Sequence, residues 1–148
     1  MKPLVYIAGP FGPNNGMTMQ ENTFFAERVG KYAQELGYAP VVPHSSILRG
    51  VYGNDGDKQE RIEGTLSTLA LMCAVMDSED SELWVVTDEL DEMSEGTLEE
   101  FNIWRFNAPA GTIRMHRSSE WERIIRNHYL EQLIGESPSN KQENKCWS

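Results

Sequence analysis

The chain has 148 residues, 39% hydrophobic and 24% charged, with a formal net charge of −10. That length is the size of one domain with its own core. The negative balance argues against duplex nucleic acid and anionic membranes as partners, since both need a cationic face; one small anion held at a helix N-terminus stays open. The start MKPLVYIAGP has no signal-peptide core, and no apolar run approaches ~18 residues, so a cytoplasmic location is expected.

In chain order, LVYIAG (Leu4–Gly9) reads as a buried strand, and the loop PFGPNNG follows. Thr18 and Glu21 stand at capping-box spacing before a helix. Phe25, Val29, Tyr32 and Leu36 mark one face of that helix, and Gly37 is a natural stop. YAPVVPH is a second strand, closed by Pro43, and a polar loop runs from Ser45 to about Asp57. KQERIEGTLSTLALMCAVM is a second helix, with Ile62, Leu66, Leu69, Cys73 and Met76 at the helical period. Cys73 therefore reads as core. Cys146 lies in a polar tail, and no disulfide framework or metal-ligand spacing is visible.

ELWVVT (Glu82–Thr87) is a third strand. DEMSEGTLEEF leads into a third helix, with Leu98, Phe101 and Trp104 on one stripe. GTIRMH is a less hydrophobic fourth strand, placed nearer an edge, and SSEWERIIRNHYLEQLIG is a fourth helix. Residues 1–134 are read as the domain and 135–148 as a polar, disordered tail.

Strand and helix alternate four times. The expected fold is an α/β, three-layer, flavodoxin- or Rossmann-like domain, with a mostly parallel sheet of four to five strands and helices on both faces. In a flavodoxin-like order, strands one and three are neighbours at the switch point. The loop GPFGPNNG and the segment DELDEMSEG then converge on one crevice at the strands' C-terminal ends.

Each candidate at that crevice has two readings. The glycine-rich loop is a plain connection, or it lets a ligand approach the backbone; it carries neither GxGxxG nor a P-loop. Tyr6 is a core tyrosine, or it sets its hydroxyl beside a carboxylate in the crevice. His44 is a structural turn histidine, or it touches a substrate. Ser94 or Thr97 caps the third helix, Gly96 leaves room at its start, and the macrodipole alone accounts for Glu95, Glu99 and Glu100. Glu99 and Glu100 are separated by roughly 100° around the helix, so either could border the crevice.

The segments VYIAGPF, ELGYAPVVPH, ELWVV and SEGTLEEF, in that order over about residues 4 to 115, resemble the nucleoside 2-deoxyribosyltransferase-like superfamily. The resemblance implies cleavage of the N-glycosidic bond of a (deoxy)nucleoside or its 5′-monophosphate, by hydrolysis or by transfer to another base. By position it makes Glu100 the nucleophile and Tyr6 its hydrogen-bond partner. Ser94 becomes the anchor of the substrate's 5′ end, where serine goes with a 5′-phosphate and aspartate with a free hydroxyl. Gly9, Pro10 and Phe11 match the loop around sugar and base, and His44 a histidine at the pocket rim; Gly96 and Thr97 complete the binding set. Family enzymes often carry an acid in the helix before strand three. Its expected positions fall near Met72 and Cys73, with Asp77 and Asp80 the acids close by in sequence. No metal or organic cofactor is implied. A nucleoside or nucleotide is the implied partner, and the implied assembly is a homodimer or larger homo-oligomer.

GTLEEF also resembles the core of the lysine-decarboxylase-like phosphoribohydrolases, which release cytokinin bases, through Gly96, Thr97 and Glu100. The double glycine and long nucleotide loop of that family are absent. A non-catalytic nucleotide sensor or sequestering protein on the same fold is the other alternative.

Overall fold

The computed structural model describes residues 1–12, 16–45, 57–108 and 111–135. Parts of two predicted loops (13–15 and 46–56) and residues 136–148 of the predicted tail, with Cys146, lie outside the described residues.

The elements are β1 (Leu4–Ala8), α1 (Met19–Glu35), β2 (Ala39–Val41), α2 (Lys58–Met76), β3 (Glu82–Thr87), α3 (Glu95–Asn107), β4 (Thr112–Arg117) and α4 (Ser118–Gly135). Among the described residues the sheet has four strands, all parallel, in the order β2-β1-β3-β4. The expected α/β three-layer architecture is therefore found, with β1 and β3 adjacent: Ile7 pairs with Trp84 and Ala8 with Val85. β4 is an edge strand, as its weaker hydrophobicity suggested.

The two-residue period of the central strands divides the core. Val5, Ile7, Trp84 and Val86 pack under α1 and α4, against Ala26, Val29, Trp121 and Ile125. Tyr6, Ala8, Leu83 and Val85 pack under α2 and α3, against Met72, Val75 and Trp104. Tyr6 thus faces the layer that carries α3.

Local signals explain the helix ends. Thr18 Oγ1 accepts from Glu21 N at 3.1 Å while Glu21 Oε1 accepts from Thr18 N at 3.2 Å, which closes the capping box. Gly37 takes φ +98° just past the helix. Asp57 caps α2 by accepting from Gln59 N and Glu60 N.

The helix faces differ from the sequence reading in two places. α1 buries a stripe of small residues, Ala26, Gly30 and Ala33 among them, and leaves Leu36 partly exposed. Small side chains let the helix sit close: a Cβ on Gly30 would stand 2.8 Å from Val42 Cγ2. α2 buries Gly64, Thr68, Met72 and Val75, whereas Ile62, Leu66 and Cys73 are exposed. The core assignment of Cys73 is therefore corrected. α2 carries apolar residues on several faces, so period alone selects no unique one.

Candidate active site

α3 begins where Ser94 stops the chain from continuing β3's loop. The Ser94 Oγ accepts from Thr97 N at 3.3 Å and shares a hydrogen bond with Thr97 Oγ1 at 2.7 Å. This cap leaves the N–H groups of Glu95 and Gly96 without intrahelical partners. A Cβ on Gly96 would stand in open space, so no packing contact demands glycine there.

Thr97 and Trp104 are buried, and Glu100 lies three residues after one and four before the other. Helical spacing therefore turns Glu100 inward, while Glu99 stays exposed. The Glu100 carboxyl stands beside the Tyr6 hydroxyl, which favours its ionised form. That hydroxyl donates to Thr68 O at a long 3.4 Å, with the Glu100 carboxyl as the neighbouring acceptor. Glu100 Oε2 is enclosed and has no hydrogen-bond partner among the described residues.

Burial pushes the Glu100 carboxyl up from 4.5 to about 7. The Tyr6 hydrogen bond pulls it back, and the charge of Glu99 raises it further. Burial, and then the neighbouring Glu100, push the Tyr6 hydroxyl far above its ordinary value, so it stays protonated and remains a donor.

These groups open on a cavity of about 750 Å³ beside the C-terminal end of β1. Gly9, Pro10, Phe11, His44, Ser94, Gly96, Thr97 and Glu100 all line it. The structure thus brings together every substrate-binding candidate of the sequence reading, with Tyr6 behind Glu100. Ile62 and Leu66 of α2 stand on the wall as well.

His44 is 2% exposed. Its Nε2 lies 3.1 Å from Gly9 O and 3.0 Å from Pro10 O, and since both are acceptors this nitrogen carries the hydrogen. Nδ1 is then bare, and it is buried without a partner among the described residues. Burial lowers the imidazole's pKa, which keeps the ring neutral. His44 fastens the first loop from below. Gly9 fits the same corner, because a Cβ there would stand 3.2 Å from Val86 Cβ.

Asp77 and Asp80 are corrected as acid candidates. Asp77 closes the C-terminus of α2, and Asp80 sits in the turn that enters β3. Both are at the opposite end of the sheet, about 20 Å away by the rise of a six-residue strand, and neither lines the cavity. The positions expected for an acid also fail: Met72 is buried in the core and Cys73 faces out.

Sequence reasoning missed Glu60, which reaches the cavity wall from the first turn of α2. An acid in a first turn is ordinary for a helix, so no signal marked it. The acids between β3 and α3 turn elsewhere. Asp88 Oδ1 accepts from Leu90 N and Glu92 N. Glu89 accepts from Ser118 Oγ, Ser119 N and Ser119 Oγ at the start of α4. Asp91 pairs with Arg117.

A second cavity of about 360 Å³ lies across the wall formed by Gly9, Pro10 and His44. It is bounded by Met17, Phe25, Val86 and Leu90, and it contains neither Glu100 nor Ser94. Among the described residues no group of three or more His, Cys, Asp or Glu is placed to hold a metal ion, and no helix is long and apolar enough to cross a membrane.

Residues 3–107 match the family described as Domain of unknown function (DUF7768). The chain belongs to that family. No curated protein and no solved structure matches it. The DUF7768 segment runs from β1 to the end of α3 and contains every described residue that lines the larger cavity. The smaller cavity also uses Ser118, which lies beyond it.

Proposed function

We propose that this DUF7768 protein cleaves the N-glycosidic bond of a nucleoside-type substrate with Glu100 as nucleophile. One observation carries the reading: a buried carboxyl beside Tyr6, with Oε2 enclosed and unpartnered among the described residues, at the wall of a cavity large enough for a nucleoside.

The Glu100 carboxylate attacks the anomeric carbon as the bond to the base breaks, and the base departs with the electron pair. The transition state has oxocarbenium character, which a carboxylate stabilises before bonding to it. The departing base takes a proton from water or from a cavity carboxyl; Glu60, Glu95 and Glu99 are the other carboxyls on the wall. Water then attacks the glycosyl ester, takes the sugar and restores Glu100. A second base in place of water gives transfer. Tyr6 orients the nucleophile, and the loop Gly9–Phe11, held by His44, forms the wall for sugar and base.

The reading includes a homo-oligomer in a reducing cytoplasm. The exposed Ile62, Leu66 and Leu98 on α2 and α3 supply apolar surface for a neighbouring subunit to cover. Light scattering during gel filtration measures that state.

The test is a panel of nucleosides and 5′-monophosphates, with free base followed by chromatography. Base release that disappears in Glu100→Gln supports the mechanism, and release that survives the substitution ends it. Tight binding without turnover across the panel identifies a sensor or sequestering protein instead. That second reading draws on one fact: the aspartates nearest in sequence to the expected acid lie at the far end of the sheet.

A further inference from the structure

Charge on the cavity wall bears on which substrate it accepts, given the reading of Glu100 above. Glu60, Glu95 and Glu99 line the cavity with Glu100. No lysine or arginine is among its described lining residues. Among the described residues the positive feature there is the start of α3, and a helix N-terminus amounts to roughly half an elementary charge. Three carboxylates besides the nucleophile outweigh it. A phosphate, with close to two negative charges at neutral pH, would enter against that field.

Ser94 does not reverse the balance. Its hydroxyl is engaged with Thr97 N and Thr97 Oγ1, so a phosphate oxygen would have to compete with the helix's own cap. A neutral sugar hydroxyl has no such conflict. It can donate to a carboxylate of the wall and accept from the free N–H groups of Glu95 or Gly96.

We infer that the cavity selects an uncharged nucleoside and rejects the corresponding 5′-monophosphate. This runs against the serine-for-phosphate expectation attached to Ser94.

The experiment pairs each nucleoside with its 5′-monophosphate. It measures kcat/KM for base release by the wild-type protein and Kd by calorimetry with Glu100→Gln. The expected result is a preference of at least a hundredfold for the nucleoside in both. The gap narrows about tenfold in Glu95→Gln/Glu99→Gln, because charge is removed with little change of shape. It stays the same in Glu131→Gln, which removes one charge from the exposed face of α4. Equal or better use of the monophosphate overturns the inference, as does a ratio that the double variant leaves unmoved. If nucleosides bind selectively but no base is released, the selectivity stands and the glycosidase reading falls. If neither form binds nor reacts, both fall.

Discussion

The Tyr6 hydroxyl of the central strand lies beside the Glu100 carboxyl of α3 and favours its ionised form, bringing together two side chains 94 positions apart in the chain. Burial is the larger influence on this acid at the wall of the larger cavity, and the tyrosine opposes it.

Glu100→Gln separates function from stability. Base release is expected to fall by on the order of a thousandfold or more, the usual scale for loss of a nucleophile. Stability moves the other way. The folded state holds the Glu100 proton to about pH 7, while the unfolded chain releases it near 4.5. The penalty of ionising it in place is absent below 4.5, grows between 4.5 and 7, and is constant above. At about 1.4 kcal/mol per pH unit it reaches about 3 kcal/mol. Urea denaturation is expected to show the variant more stable than wild type at pH 8 and equal to it at pH 4.5.

The pH dependence of kcat/KM follows the same group. Attack needs the carboxylate, so activity is expected to rise with pH through about 7 and then level off. Glu99 raises Glu100 by its charge, and Glu99→Gln is expected to move that rising limb to lower pH. An unmoved limb would exclude this electrostatic link.

Tyr6→Phe removes the hydrogen bond that stabilises the ionised form of Glu100. A hydrogen bond to a charged group contributes roughly 1.5–3 kcal/mol, so kcat/KM at pH 7 is expected to fall about ten- to a hundredfold. The rising limb moves to higher pH, and part of the loss is recovered at pH 9. Full pH–rate profiles of both proteins check this.

His44→Ala leaves a void and removes the donor shared by the Gly9 and Pro10 carbonyls. A loss of about 2–4 kcal/mol is expected in thermal or urea unfolding. The imidazole's pKa is lowered in the folded state, so its contribution is complete above the ordinary value of 6.5 and is lost as the pH falls below it. The wild-type protein is therefore expected to lose stability between pH 6.5 and 5 more steeply than His44→Gln.

Much of this arrangement was legible in the residues. The alternation of strand and helix pointed to a parallel sheet, and the flavodoxin-like order that puts β1 beside β3 is the one found. The crevice then followed from topology. What did not follow was rotation. On α2, apolar residues on several faces hid the fact that Thr68 and Met72 face in while Leu66 and Cys73 face out. On α3, Trp104 and Phe101 of the expected stripe do pack on the core, but Leu98 is exposed and Thr97, small and polar, is buried beneath its own cap. The spacing Thr97, Glu100, Trp104 carried the answer, but only once the burial of Thr97 was known. His44 was ambiguous for another reason: a histidine can touch a ligand or hold a loop, and here it both lines the cavity and bonds the Gly9 and Pro10 carbonyls.

The far side of the sheet sets the minimum length of chain that can stand alone. The family segment stops at residue 107, yet Trp121 of α4 stacks on Trp84 at 5.3 Å between ring centroids and donates its indole N–H to Val85 O at 2.9 Å. Glu89 reaches from the loop after β3 to the first residues of the same helix. A chain cut after residue 107 would keep every described group of the larger cavity and still bare the indole of Trp84 to water. The unit of recognition by sequence is thus shorter than the unit of folding, and the last strand and helix act as a keel for a site that they never touch.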